Sequence, residues 1–160
     1  MDYQTTVSVD ETLELKEKKE KKIFDQKPTS AFIGASWSAL LIAITCYCIG
    51  LWNADMELNE KGYYFTILLF GLFSVISLQK AVRDRLEGIP ITEIYYGLSW
   101  FSTAAAIVLL IIGLWNADLF LSEKGFYGMS FLLSVFSAIA VQKNTRDIQY
   151  IERKKAEHVD

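Results

Sequence analysis

The chain has 160 residues, 52% of them hydrophobic and 22% charged, with a mean hydropathy of +0.23 and a formal net charge of −3. That leaves room for one domain, too apolar for an ordinary soluble one. With two cysteines and a single histidine, His158, neither a disulfide framework nor a metal site is supported; no cofactor and no nucleic-acid partner is expected.

Residues 1–30 form a lysine- and glutamate-rich head. Its start, MDYQTTVSVDETLEL, lacks a basic stretch followed by an apolar one, so no cleaved signal peptide is expected. The following ETLELKEKKEKKIF reads as a solvated helix, supported by the i,i+4 pairs Glu14–Lys18 and Glu17–Lys21.

Four stretches then lack Asp, Glu, Lys and Arg altogether: Ala31–Trp52, Tyr63–Gln79, Ile94–Trp115 and Phe126–Gln142. Roughly 20 apolar residues cross the hydrocarbon of a bilayer. The first and third runs suffice alone; the second and fourth helices must begin within the preceding loops. Cys46 and Cys48 lie in the first span and read as packed apolar residues.

The basic residues alternate. Residues 1–30 hold six Lys or Arg, residues 80–93 three and residues 143–160 five, whereas the loops after the first and third spans hold Lys61 and Lys124 alone. Fourteen against two places both termini and the central loop in the cytoplasm. The expected fold is all-α and integral to the membrane: four transmembrane helices as two tandem parallel helical hairpins, N-in and C-in.

The chain repeats itself. Shifted by 63 residues, Ala31–Asp84 lies over Ile94–Asp147 without a gap and with 25 identities in 54 positions. The organisation is a head (1–30), a first two-helix repeat (31–84), a linker marked by Gly88 and Pro90 (85–93), a second repeat (94–147) and a tail (148–160). Two units of two spans each sit the same way up, related by a pseudo-two-fold axis along the membrane normal.

The positions that stay alike form stripes. Ser36, Ala43 and Gly50 recur every seven residues, matched by Ser99, Ala106 and Gly113; the fourth span adds Ser130, Ser134 and Ala138. Such columns let backbones approach closely in lipid and are expected to be helix-packing seams. Leu69/Leu132, Phe73/Phe136, Ile76/Ile139, Lys80/Lys143 and Arg83/Arg146 follow a 4, 3, 4, 3 spacing and are also expected to be a seam.

The repeated tip GLWNAD…EKG holds Asn53, Asp55, Glu60 and Lys61, with Asn116, Asp118, Glu123 and Lys124 as counterparts, a candidate outward-facing polar motif. Most of it has a structural reading. Asn59 and Ser122 suit N-caps, Leu58/Tyr63 and Leu121/Phe126 suit hydrophobic staples, and Glu60 and Glu123 suit the first helical position. Asn53 and Asn116 suit a left-handed helix end, and Trp52 and Trp115 the interfacial aromatic belt. Asp55 and Asp118 have no required local role; they cap, pair with Lys61 and Lys124, or line a mouth. At the other end, Gln79-Lys80…Arg83-Asp84 and Gln142-Lys143…Arg146-Asp147 place i,i+4 Lys–Asp neighbours beside anionic headgroups.

No charge lies at the middle of a span, and no metal-binding, nucleophile-elbow or P-loop motif is present, so catalysis is not expected. The blocks GLWNADMELNEKGYYF, GLWNADLFLSEKGFYG, QKAVRDRLEGIP and AVQKNTRD resemble the YiaA/YiaB two-helix family of bacterial inner-membrane proteins, over about Ala31 to Asp147. The resemblance implies an inner-membrane address and a duplicated hairpin, and no catalytic residues. The preferred expectation is a non-enzymatic scaffold or accessory subunit, in contact with membrane lipids, that forms a homo-oligomer or packs with other membrane proteins. The alternative is a passive channel or small-solute transporter, lined by Ser36, Ser38, Thr45, Ser99, Ser102 and Thr103, with Asp55 and Asp118 biasing it toward cations.

Overall fold

The computed structural model describes residues 27–157. The helix expected within ETLELKEKKEKKIF, and His158, lie outside them. Four helices follow in order: α1 (Ser30–Asn53), α2 (Leu58–Leu86), α3 (Glu93–Asn116) and α4 (Leu121–Glu157). There is no strand among the described residues. All four are long and apolar enough to cross a membrane, with mean hydropathies of 1.9, 1.8, 2.1 and 1.5 over their most apolar windows. Even the 24-residue α1 and α3 reach about 36 Å at ~1.5 Å per residue, beyond the ~30 Å of hydrocarbon.

The helix ends have local causes. Thr29 and Thr92 are N-caps: their hydroxyls accept from the backbone N–H of Phe32 at 3.2 Å and of Tyr95 at 3.3 Å. At the end of α2, Gly88 adopts φ 73°. This left-handed residue lets Gly88 N donate to Arg85 O at 3.3 Å and Ile89 N to Asp84 O at 2.8 Å, closing the last turn before Pro90.

The helices do not pack in the pairs that the sequence joins. α1 lies mainly against α4 and α2 mainly against α3, while α2 and α4 meet between them. The two helices of one repeat, α1 with α2 and α3 with α4, touch little. The repeat is therefore a unit of sequence and not of packing. A shift of 63 residues turns the α1–α4 pair into the α3–α2 pair.

Small residues explain the choice. Ser36, Ala43, Ser99 and Ala106 are all buried. At Gly50 an added Cβ would lie 2.6 Å from the Phe126 ring of α4, and at Gly113 2.6 Å from the Tyr63 ring of α2. Each column of small residues on α1 or α3 thus seats an aromatic ring of the other repeat. On α4, Ser130, Ser134 and Ala138 are buried as well, so these expected seams lie inside the bundle.

The 4, 3, 4, 3 stripe behaves otherwise. Leu69, Phe73 and Ile76 on α2 face outward, as do Leu132 and Phe136 on α4; Phe73 is 71% and Phe136 67% exposed. As a seam within the chain this stripe is ruled out, because the inward faces of α2 and α4 are already filled by their small-residue and aromatic contacts.

The interior changes character along its length. Toward the tips it is aromatic: Tyr47, fully buried, meets Tyr127 edge-on at 5.5 Å between ring centroids, and Tyr64 stacks on Tyr127 at 6.0 Å. The Tyr47 hydroxyl donates to Tyr64 O at 3.1 Å, tying α1 to α2, and the Tyr63 hydroxyl donates to Leu109 O at 2.8 Å, tying α2 to α3. Toward the chain termini it turns polar. Asn144 donates to the Ser36 hydroxyl at 3.2 Å and Gln79 to Ile139 O at 3.3 Å, while Ser74 and Ser137 are buried nearby in sequence.

Candidate functional site

The repeated tip motif is mostly taken up in ending and starting helices, in a register two residues earlier than expected at the helix starts. The N-cap of α2 is Glu57, and Asn59 lies within the helix. Glu60 Oε2 accepts from Glu57 N at 2.9 Å, and Glu123 Oε2 from Phe120 N at 2.8 Å. Glu60 and Glu123 therefore stand at the third helical position; with Glu57 the former closes a reciprocal capping box, whereas Phe120 has no side-chain acceptor and Glu123 makes its half alone. Asn59 and Ser122 do not serve as N-caps, and the staples through Leu58 and Leu121 do not form: these two side chains are 85% and 86% exposed. Met56 and Leu119 pack on the core in their place.

Asn53 and Asn116 are the last residues of α1 and α3. Their amides donate back to Ile49 O and Ile112 O, each at 2.8 Å. No residue other than glycine among those described has positive φ, so the left-handed helix end expected at these asparagines is not formed; a side-chain bond replaces it. Lys61 Nζ donates to Trp52 O at 3.1 Å and Lys124 Nζ to Trp115 O at 3.4 Å. Each lysine places its charge on the carbonyl end of the preceding helix, where the helix dipole favours a cation. It is thereby engaged with backbone and not with Asp55 or Asp118. Those two aspartates are exposed, and among the described residues neither is in a hydrogen bond or ion pair.

The hydroxyls that would line a pathway are not brought into one row. Ser36 and Ser99 are buried and donate to Phe32 O and Tyr95 O, each at 2.8 Å. Thr103 donates to Ser99 O at 2.9 Å, and Ser38 and Thr45 lie on the exposed side of α1. Between α2 and α4 the tip half of the seam is occupied by Tyr64, Tyr127, Leu68 and Phe131. Among the described residues, no group of three or more His, Cys, Asp or Glu side chains is arranged to hold a metal.

The other end holds a cleft that sequence reasoning treated as ordinary anchoring. Where α2 ends beside α4, a cavity of about 480 Å³ is lined by Arg83, Glu87, Lys143, Arg146, Asp147, Tyr150 and Ile151. Arg83 is paired with Glu87. The i,i+4 pairs expected at Lys80–Asp84 and Lys143–Asp147 are not formed; here Arg83 pairs with Glu87 and Arg85 with Glu93. One helical turn deeper, Gln79 Oε1 and Gln142 Oε1 are buried without a hydrogen-bond partner, as is Ser137 Oγ. The recurrence of Gln, Lys, Arg and Asp in both repeats was the signal for this end. That the two copies converge became visible only with the α2–α4 contact.

A sequence profile described as the yiaA/B two helix domain matches residues 32–84 and 95–147. "Inner membrane protein YiaA" of Escherichia coli (strain K12) is 59% identical over 117 residues, 73% of this chain and 81% of that protein. "Uncharacterized membrane protein YubF" of Bacillus subtilis (strain 168) is 35% identical over 65 residues, 40% of this chain and 75% of that one. No solved structure gives a significant match.

Proposed function

The chain belongs to the yiaA/B two-helix domain family of multi-pass membrane proteins, and from that premise we propose that it is a non-enzymatic inner-membrane packing protein, both termini cytoplasmic, that self-associates through α2 and α4. The orientation is supported by the basic residues, fourteen at the terminal side against two at the tips. The non-catalytic reading is supported by the fate of the repeated polar residues, which are taken up in helix ends.

One observation carries the self-association. Along the inner two-thirds of α2 and α4 the buried positions have diverged between the repeats: Ile67/Ser130, Leu68/Phe131, Gly71/Ser134, Val75/Ala138, Leu78/Val141 and Ala81/Asn144. Ser74/Ser137 is the one buried pair there that matches. The outward pairs Leu69/Leu132 and Phe73/Phe136 are identical, as is Ile76/Ile139, whose second member is half-buried. Lipid accepts any apolar side chain, and elsewhere on the outward face the halves do differ, as at Leu41/Ala104 and Thr66/Met129. A stripe kept at coiled-coil spacing on both helices is what a protein neighbour requires.

Single cysteines at Phe73 or Phe136, in a chain with Cys46 and Cys48 replaced by alanine, provide the test by oxidative cross-linking in native membranes. A covalent dimer from both positions, and none from the outward control Leu41→Cys, is the expected result. Adducts with another membrane protein in place of the dimer would make the chain an accessory subunit. Monomer at every position would overturn the proposal.

A further inference from the structure

We propose that the cleft between the ends of α2 and α4 is a binding site for a phosphate-bearing anion, held between the Arg83 and Arg146 guanidinium groups. Three cations and two carboxylates line it. One carboxylate, Glu87, is already paired with Arg83. Lys143 and Arg146 make no hydrogen bond or ion pair among the described residues, although Arg146 is only partly exposed. Asp147, Glu87 and Asp84 partly offset the Arg146 charge without a hydrogen bond to it, while the Arg83 guanidinium of the other repeat opposes it; an anion standing between the two guanidinium groups relieves that opposition. A planar, always-charged fork suits the oxygens of a phosphate, which two such groups clamp with parallel hydrogen bonds. The Tyr150 hydroxyl adds a donor at the wall, and Ile151 an apolar surface for the carbon skeleton that a phosphate ester carries.

The position favours a phospholipid headgroup as the source. Arg83 and Arg146 each lie four residues past the last uncharged residue of their span, Gln79 and Gln142, about 6 Å along the helix, at the depth where headgroups sit. A soluble phosphate has the same recognising chemistry, and the experiment separates the two.

The full chain, purified in neutral detergent, is melted with added phosphatidylglycerol, with phosphatidylcholine, or with inorganic phosphate at ionic strength matched by chloride. Native mass spectrometry counts bound lipid. The wild type is expected to gain melting temperature with phosphatidylglycerol over phosphatidylcholine; an equal gain with inorganic phosphate would identify the phosphate itself as sufficient. Arg83→Gln with Arg146→Gln is expected to weaken binding about tenfold or more, the usual loss when charged hydrogen bonds are removed. Arg153→Gln, an exposed cation outside the cleft, is expected to bind as the wild type does. If the double variant does not fold, Arg146→Lys serves: charge kept and fork lost, it is expected to bind measurably less. Equal shifts with both lipids and no response to phosphate, undiminished binding in the cleft variants, or an equal loss in Arg153→Gln would overturn the proposal.

Discussion

The contact between Gly71 and Phe131 gives a quantitative handle on how the two repeats fit together. A Cβ at Gly71 would stand 2.6 and 2.8 Å from two atoms of the Phe131 ring and 3.7 Å from the Ala106 Cβ. The ring is 1% exposed and cannot swing away. Gly71→Ser should therefore cost about 1–3 kcal/mol as an overpacked core. Phe131→Leu leaves a small void and should cost about 1 kcal/mol at ~24 cal/mol per Å³ of cavity plus the lost contacts. The residues 63 positions away are Ser134 and Leu68, so the other half of the bundle carries the combination of serine and leucine. The double variant rebuilds that pairing. It should cost less than the sum of the singles, with a coupling of about 1 kcal/mol or more, as neighbours in one contact show. The assay is reversible SDS unfolding in mixed micelles, followed by far-ultraviolet circular dichroism. Additivity within about 0.3 kcal/mol would refute both the contact and the equivalence of the two halves.

Three further outcomes follow from single contacts. Tyr47→Phe removes the hydroxyl donating to Tyr64 O and should lower stability by about 0.6 kcal/mol, the mean for such bonds between membrane helices, in the same unfolding assay. Glu60→Ala and Glu123→Ala each remove the carboxylate that accepts from a backbone N–H at a helix start; about 0.5–1 kcal/mol apiece is expected, with cysteine labelling of the tips unchanged. Asp55→Asn with Asp118→Asn touches exposed groups outside any hydrogen bond or ion pair and should leave the unfolding midpoint within about 0.5 kcal/mol of the wild type; a larger drop would mean these aspartates are structural after all.

The spans, their number and their small-residue columns were legible because charge exclusion and seven-residue spacing are local properties of the chain. The partner of each column was not. Gly50 announces a close approach, but nothing near it in sequence says that Phe126, 76 residues on, fills the space. The outward stripe misled for a related reason: in lipid an apolar face is equally at home inside or outside a bundle, so periodicity identifies a face without saying which way it points. At the tips, Glu60 was recognised as a helix-start residue, yet the cap fell at Glu57 and not at Asn59, and the bond of Lys61 to Trp52 O went unforeseen. Glutamate is a poor N-cap by preference, and the choice came from Glu60 reaching back to the Glu57 amide. Of the terminal cleft only the recurring Gln, Lys, Arg and Asp were legible; Arg83 and Arg146 are far apart in sequence and line one cleft only because α2 and α4 meet.

Impermeant maleimide labelling of intact cells addresses the four-span arrangement most directly, with single cysteines at Asp55, Gly88, Asp118 and Glu152 in a chain otherwise free of cysteine. Labelling of the two tip positions without permeabilisation, and of Gly88 and Glu152 only after it, is the expected pattern. Labelling of Gly88 together with Asp55 in intact cells would contradict the crossing of α2, and with it the placement of both termini on one side.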